Sequence, residues 1–229
     1  MSIPFDVNVV TQFAPQLIKG FWFTLQLTAM SAAGGLILGT LLALARLSSN
    51  RLLSGAVGAY VNGIRSIPLL LVIFWFYFLM PYVVAWLTGA SRPMEIPPLM
   101  SCVITFILFE AAYFCEIMRA GIQSVPPGQV YAGRALGMRY WPIMIYVVVP
   151  QAVRNILPVL LNQTIVLFQD VSLVSVLAIK DFFGSADFLA KRDGRPHEMY
   201  LTVAAVYLIS CFLLSRAVKV LQRRTAIIR

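Results

Sequence analysis

Charged residues in this chain come in clusters, and long stretches without any charge run between them: residues 20–44, 66–91, 96–109, 155–169 and 199–215. A helix needs roughly 20 mostly apolar residues to cross a bilayer core of about 30 Å. The first two stretches reach that length unaided. The third reaches it by taking in Glu110 and Glu116, the fourth by taking in Asp170 and running to residue 179, and the fifth by extending toward Lys219. The pattern predicts five membrane-spanning helices near 20–45, 66–90, 97–118, 155–179 and 199–219. Residues 140–153 form an apolar run too short to span; with Pro150 near its end it is predicted to be a connector on the cytosolic side. Residues 1–19 are predicted to lie outside as a surface segment, 20–219 to form one membrane domain, and 220–229 to be a tail.

Composition supports this class. The chain of 229 residues is 60% hydrophobic and 12% charged, whereas soluble domains average about 25% charged. The fold expected is an all-α multi-pass membrane protein. Twelve basic residues fall on one side of the five-span topology, among them Arg46, Arg51, Arg65, Arg119, Arg224 and Arg229, and six on the other, where Asp and Glu balance them. Lys and Arg favour the cytosolic side, so the N-terminus is expected outside and the C-terminus in the cytosol. The net charge of +9 is then a topology signal with a secondary role at lipid headgroups; nucleic acid is not expected as a partner. No cleavable leader is expected, the first span serving as the insertion signal. Cys102, Cys115 and Cys211 lie within spans without zinc or redox spacing, and His197 is the sole histidine, so no metal site is expected.

Polar residues inside the spans are the candidates for function. Glu110, Tyr113, Glu116 and Arg119 recur every three residues along the third span. Ionisable groups at membrane depth face the protein interior or a water-filled cavity. Glu116 and Arg119 can pair with each other; Glu110 lies deeper and stands open as a pathway residue or a packing anchor. On the fourth span, Asn162, Gln169, Ser172 and Ser175 fall in one arc of about 140° at helical spacing, with Gln163 and Asp170 on an adjacent line. Such a stripe lines a substrate path or glues helices together, and its central placement favours the path. The glycines of the first span, Gly34, Gly35 and Gly39, suit close helix packing.

One polar segment between the spans stands apart: Gly128, Gln129, Tyr131, Ala132, Arg134, Ala135, Leu136 and Gly137, followed thirteen residues on by Pro150. It reads as a short helix stopped by a left-handed glycine at Gly137, placed to touch something outside the bilayer. There is no phosphate-binding loop of the Gly-x-x-x-x-Gly-Lys-Ser/Thr kind, no metalloprotease motif and no histidine-based triad. No catalytic residue and no cofactor are expected, and energy for any driven transport must come from another subunit or an ion gradient.

The segment 128–150 resembles the cytoplasmic coupling motif of ATP-binding-cassette importer permeases, with Ala132, Gly137 and Pro150 matching, Val147 and Val149 as aliphatic substitutes, Tyr131 where the family has Glu and Gly133 where it has Ala. The runs Arg65-Ser66-Ile67-Pro68-Leu69, Glu110-Ala111-Ala112-Tyr113, Glu116 to Ile122, Pro150 to Arg154 and Gln169 to Val176 are similar to polar amino acid permeases, and most of the chain resembles a glutamate/aspartate import permease, with Val171 where relatives carry Thr. The resemblance implies a type I importer permease in the bacterial inner membrane. The implied partners are a second permease subunit, identical or similar, two cytosolic ATPase subunits bound through the coupling loop (124–150), and a periplasmic amino-acid-binding protein, all working in membrane lipid. The permease itself would hydrolyse nothing. The alternative is a stand-alone secondary transporter or channel; five spans without an inverted repeat argue against it.

Overall fold

The computed structural model describes residues 5–93 and 95–225; the predictions at residues 1–4 and 226–229, including Arg229, lie outside them. Helices make up the described structure, without a strand. In chain order they are α1 (Val7–Arg46), α2 (Arg51–Arg65), α3 (Leu69–Phe78), α4 (Met80–Thr88), α5 (Pro98–Gln123), α6 (Pro127–Ala135), α7 (Tyr140–Ile143), a π-helical turn (Met144–Val148), α8 (Val149–Asp170), a 3₁₀ segment (Val171–Leu177), α9 (Phe182–Asp193) and α10 (Pro196–Thr225).

Local chemistry sets several of these boundaries. Asp6 caps α1 by accepting from Asn8 N, Asn50 caps α2 through Leu52 N and Leu53 N, and Asp181 caps α9 through Phe183 N and Gly184 N. Gly89 and Gly194 take left-handed conformations just past α4 and α9.

α1 and α5 form the spine. Glycines make their contact possible: a Cβ on Gly35 would lie 2.8 Å from Glu110 Cβ, and one on Gly39 2.9 Å from the Ala111 carbonyl oxygen. The bundle has two distinct ends. At one, Arg46 closes α1 and pairs with Glu116 of α5 at 3.1 Å, while Arg119 pairs with the same carboxylate. At the other, α9 lies against the first half of α1, where Thr24 Oγ1 accepts from Phe182 N at 3.0 Å. The core there joins Val9 and Leu17 to Phe182, Leu189 and Met199.

Residues 7–19, expected as a separate surface segment, are the start of the continuous α1, and beyond this the spans depart from expectation in two places. Four helices or continuous helical runs are long and apolar enough to cross a membrane: Val7–Arg46, Pro98–Gln123, Tyr140–Leu177 and Pro196–Arg224. A fifth crossing exists only if α2 and α3 are taken together, and they bend by 105°. The stretch 66–90, expected to be one helix, is α3 and α4, and the 51–65 segment ahead of it is a helix too. Arg51 and Arg65 frame α2 and hide it from a search for uncharged runs. The second departure is at 140–153. Instead of ending a connector, Pro150 sits in the first turn of α8, where its missing N–H costs nothing. A π turn before it, in which Val149 N bonds to Met144 O, carries the helix through. The expected connector is therefore continuous with the fourth span.

Candidate translocation site

The break between α2 and α3 lies at the level of the middle of α5. Below it, Val57 and Val61 pack with Ala43, Ala112 and Cys115. Beyond it, Leu69, Val72 and Ile73 pack with Cys102, Phe106 and Phe109. Tyr60 adds a hydrogen bond to the Leu108 carbonyl at 2.7 Å. Arg65, the last residue of α2, is thus beside the centre of a 26-residue helix, although the sequence pattern places it at a cytosolic helix start. Pro68 disfavours a helical conformation in the residue before it, and the chain turns at Ser66 and Ile67 and restarts as α3. Broken backbone at such depth persists where it lines a protein-walled cavity.

A cavity is there. A cleft of about 450 Å³ runs between α2, α5 and α8, with Arg65, Tyr113, Glu116, Ser124, Asn155 and Gln163 as its polar walls and Ile117, Ala120, Gly121, Ile156 and Val159 as its apolar ones. The Arg65 guanidinium carbon stands 5.2 Å from the centroid of the Tyr113 ring, a cation–π placement that fixes the charge while leaving its N–H groups free to bind. Asn155 Nδ2 donates to Ser124 Oγ at 2.9 Å and ties α8 to the end of α5. Deeper in, Glu110 is fully buried, and Gln163 Nε2 donates to both of its carboxylate oxygens at 3.3 Å.

The α5 stripe therefore divides by neighbour. Glu110 meets α8, Tyr113 meets Arg65, and Glu116 meets Arg46 and Arg119. The fourth-span arc, expected to border a cavity at the subunit interface, is divided between two elements. Asn162 and Gln169 are exposed, and Gln169 donates to Cys211 Sγ on α10 at 3.3 Å. Asp170 ends α8, and Ser172 and Ser175 belong to the 3₁₀ segment, where Ser175 Oγ bonds to the Ser172 carbonyl at 2.7 Å. An arc computed at 100° per residue fails there because 3₁₀ turns advance about 120°. Of the expected pathway residues, the cleft gathers Tyr113 and Gln163, with Glu110 behind Gln163. It adds Ser124 and Asn155, which the pattern did not single out, and Arg65, which the sequence reading places nearer the cytosolic exit. The proline three residues after Arg65 was the available signal.

The coupling segment has its own geometry. α6 ends in a Schellman motif: Met138 N bonds to Gly133 O at 3.0 Å and Gly137 N to Arg134 O at 2.9 Å. Gly137 has φ of +75°. Gly133 is buried on Ile143, whose Cγ1 would lie 2.9 Å from an added Cβ, which accounts for glycine at that position. Gly128, Gln129, Ala132, Arg134 and Ala135 are exposed, as are Tyr131 at 64%, Leu136 at 81% and Trp141 at 71%.

Residues 35–227 match the family described as the binding-protein-dependent transport system inner membrane component. The chain belongs to that family. It is a multi-pass permease of the inner membrane, the membrane subunit of an ABC importer; in this class a separate subunit carries the ATPase and a binding protein delivers the substrate. The permease is similar to the glutamate/aspartate import permease protein GltK of Escherichia coli O6:H1, with 44% identity over 222 residues, 97% of this chain and 99% of the relative. It is 37% identical to the L-cystine transport system permease protein TcyB of Bacillus subtilis over 224 residues, 97% of this chain and 92% of the relative. Its fold is similar to a subunit in the crystal structure of an amino acid ABC transporter with histidines: the TM-score is 0.87 at 33% identity, covering 98% of this chain and 100% of that one.

Proposed function

We propose that this permease moves polar amino acids inward, with glutamate and aspartate as its preferred cargo, and that the cleft beside the α2–α3 break is part of the route. The observation that carries the reading is Arg65 on the Tyr113 ring at mid-helix depth. An acidic amino acid has a net negative charge at neutral pH and a second carboxylate for a cation to hold. A guanidinium fork binds a carboxylate with two parallel hydrogen bonds. Tyr113 and Gln163 supply further polar groups on the same cleft. The similarity to a glutamate/aspartate permease supports this cargo, while the similarity to a cystine permease makes substrate choice a matter for measurement.

The assembly follows from the same reading. The broken α2–α3 pair is the second of five crossings, the N-terminus is outside, and the arginine-bearing end with α6 faces the cytosol. The permease pairs with a second copy or a sister chain. The exposed face of Gly128, Gln129, Tyr131, Ala132, Arg134, Ala135 and Leu136, stopped at Gly137, docks on the ATPase. Asn162, Gln169, Asp170, Ser172 and Ser175 lie away from the cleft in a single chain and border the path only where the second permease subunit meets α8. The test is ATPase stimulation of the whole complex by its binding protein loaded in turn with L-glutamate, L-aspartate, L-glutamine and L-cystine. Strongest stimulation by the two acidic amino acids is expected. Equal or greater stimulation by glutamine or cystine contradicts the acidic preference.

A further inference from the structure

At the end of the bundle away from Arg46, α1 and α9 approach so closely that a Cβ on Gly20 would lie 2.7 Å from the Asp181 carbonyl oxygen. Beside this contact is a basin of about 470 Å³, walled by Gln16 and Lys19 of α1, Lys180 at the head of α9, and Ser185, Phe188 and Arg192 of α9. Three cations share it. Lys180 Nζ is 4.1 Å from the Phe188 ring centroid, and the Arg192 guanidinium lies 5.7 Å from the same centroid and 5.4 Å from that of Phe13. Aromatic faces hold cations in place without consuming their N–H donors.

The carboxylates nearby are occupied elsewhere. Asp181 is fully buried and turned inward to cap α9. Asp187 accepts from Lys191 and Tyr200, Asp193 takes the Arg192 guanidinium, and Glu198 pairs with Arg195. Lys19 and Lys180 have no carboxylate partner among the described residues. Cations that line one concave basin draw an anion into it. We propose that this basin is an anion site that binds a small dicarboxylate, and, resting on the acidic-cargo reading above, that an acidic amino acid occupies it before reaching Arg65. Two uncompensated ammonium groups match two carboxylates. A lipid phosphodiester offers one anionic group in place of two separate carboxylates, so it is the poorer fit.

The experiment uses the assembled permease–ATPase complex in nanodiscs of phosphatidylcholine, and again in discs that also contain phosphatidylglycerol. An amine-acetylating reagent is applied, and the modification rates of Lys19 and Lys180 are read by mass spectrometry, with Lys219 at the far end of α10 as control. L-Glutamate and succinate are expected to slow modification of Lys19 and Lys180 several-fold in both lipids. L-Glutamine is expected to leave the rates unchanged, and Lys219 is expected to be unaffected throughout. The same protection is expected in an Arg65→Gln complex, which separates this basin from the cleft. Protection by succinate in a complex that proves to import another amino acid supports the anion site while removing the acidic-cargo reading. No protection by either dicarboxylate, equal protection by L-glutamine, or protection conferred by phosphatidylglycerol alone overturns the proposal.

Discussion

Arg65 lies over the ring of Tyr113, its guanidinium carbon 5.2 Å from the ring centroid. The pair joins the end of α2 to the centre of α5 at the break between α2 and α3. It places a fixed positive charge where the uncharged runs of the sequence suggest none. A cation over an aromatic face gains roughly 0.5–2 kcal/mol, depending on desolvation. Tyr113→Leu removes the ring while keeping an apolar side chain, and Arg65 then loses its rest position. Uptake of L-glutamate into proteoliposomes is expected to show a KM raised by about 2- to 30-fold, the equivalent of that energy. Tyr113→Phe, which keeps the ring and loses only the hydroxyl facing the cleft, is expected to show a smaller rise in KM than Tyr113→Leu.

Glu110 and Gln163 form the deeper pair, and there the consequence is for stability. Glu110 is fully buried with Gln163 as its side-chain hydrogen-bond donor. Gln163→Leu strands it, at a cost of about 1–3 kcal/mol for a buried group left unsatisfied. A lower thermal unfolding midpoint in detergent is expected. Glu110→Gln in the Gln163→Leu background is expected to recover part of that loss, because a neutral amide is cheaper to bury than a carboxylate.

Asp181 predicts a pH dependence. Burial, the largest influence, outweighs its backbone hydrogen bonds and pushes the carboxyl up to about 6, above the ordinary value of about 3.9. The folded state therefore holds this proton more tightly than the unfolded state. The associated stability is complete below about pH 4 and is lost as pH rises through about 6, a change of about 3 kcal/mol. Asn can still cap α9 but does not titrate. Asp181→Asn is expected to gain in unfolding midpoint relative to wild type between about pH 4.5 and 7.5. Parallel profiles for the two proteins contradict the assignment.

Gly137 has open space around its Cα but a left-handed backbone. A side chain there meets no neighbour and costs only conformation, about 1–2 kcal/mol and more for a β-branched residue. Gly137→Val is expected to unwind the end of α6 and lower substrate-stimulated ATPase activity of the complex, with assembly of the membrane domain intact. Gly137→Asn, which tolerates the left-handed region, is expected to retain most of it.

Much of this was legible in the sequence, and the failures have specific causes. The spans built on Gly34, Gly35 and Gly39, on Glu110 to Arg119, and on 199–219 follow from length and apolarity alone, and the stop at Gly137 follows from glycine's backbone freedom. The Glu116–Arg119 pair could be read from its spacing. Arg65 was misplaced because a charged residue at the end of an apolar run resembles a membrane boundary, and only tertiary packing reveals that α2 lies alongside α5. The arc through Ser172 and Ser175 assumed one helical period across a switch to 3₁₀ geometry that no residue in 169–176 announces. Pro150 suggested an end because a π turn, which lets the helix continue, leaves no mark in composition.

The central claim is that the broken second crossing brings Arg65 into the substrate route. The most direct measurement is initial L-glutamate uptake by proteoliposomes containing the complete complex and saturating loaded binding protein, comparing wild type, Arg65→Lys and Arg65→Gln. A charge-assisted contact contributes about 1.5–3 kcal/mol. Arg65→Gln is therefore expected to lose about 10- to 150-fold in transport rate with unchanged assembly, and Arg65→Lys to fall between the two. Wild-type uptake by an assembled Arg65→Gln complex would contradict the account.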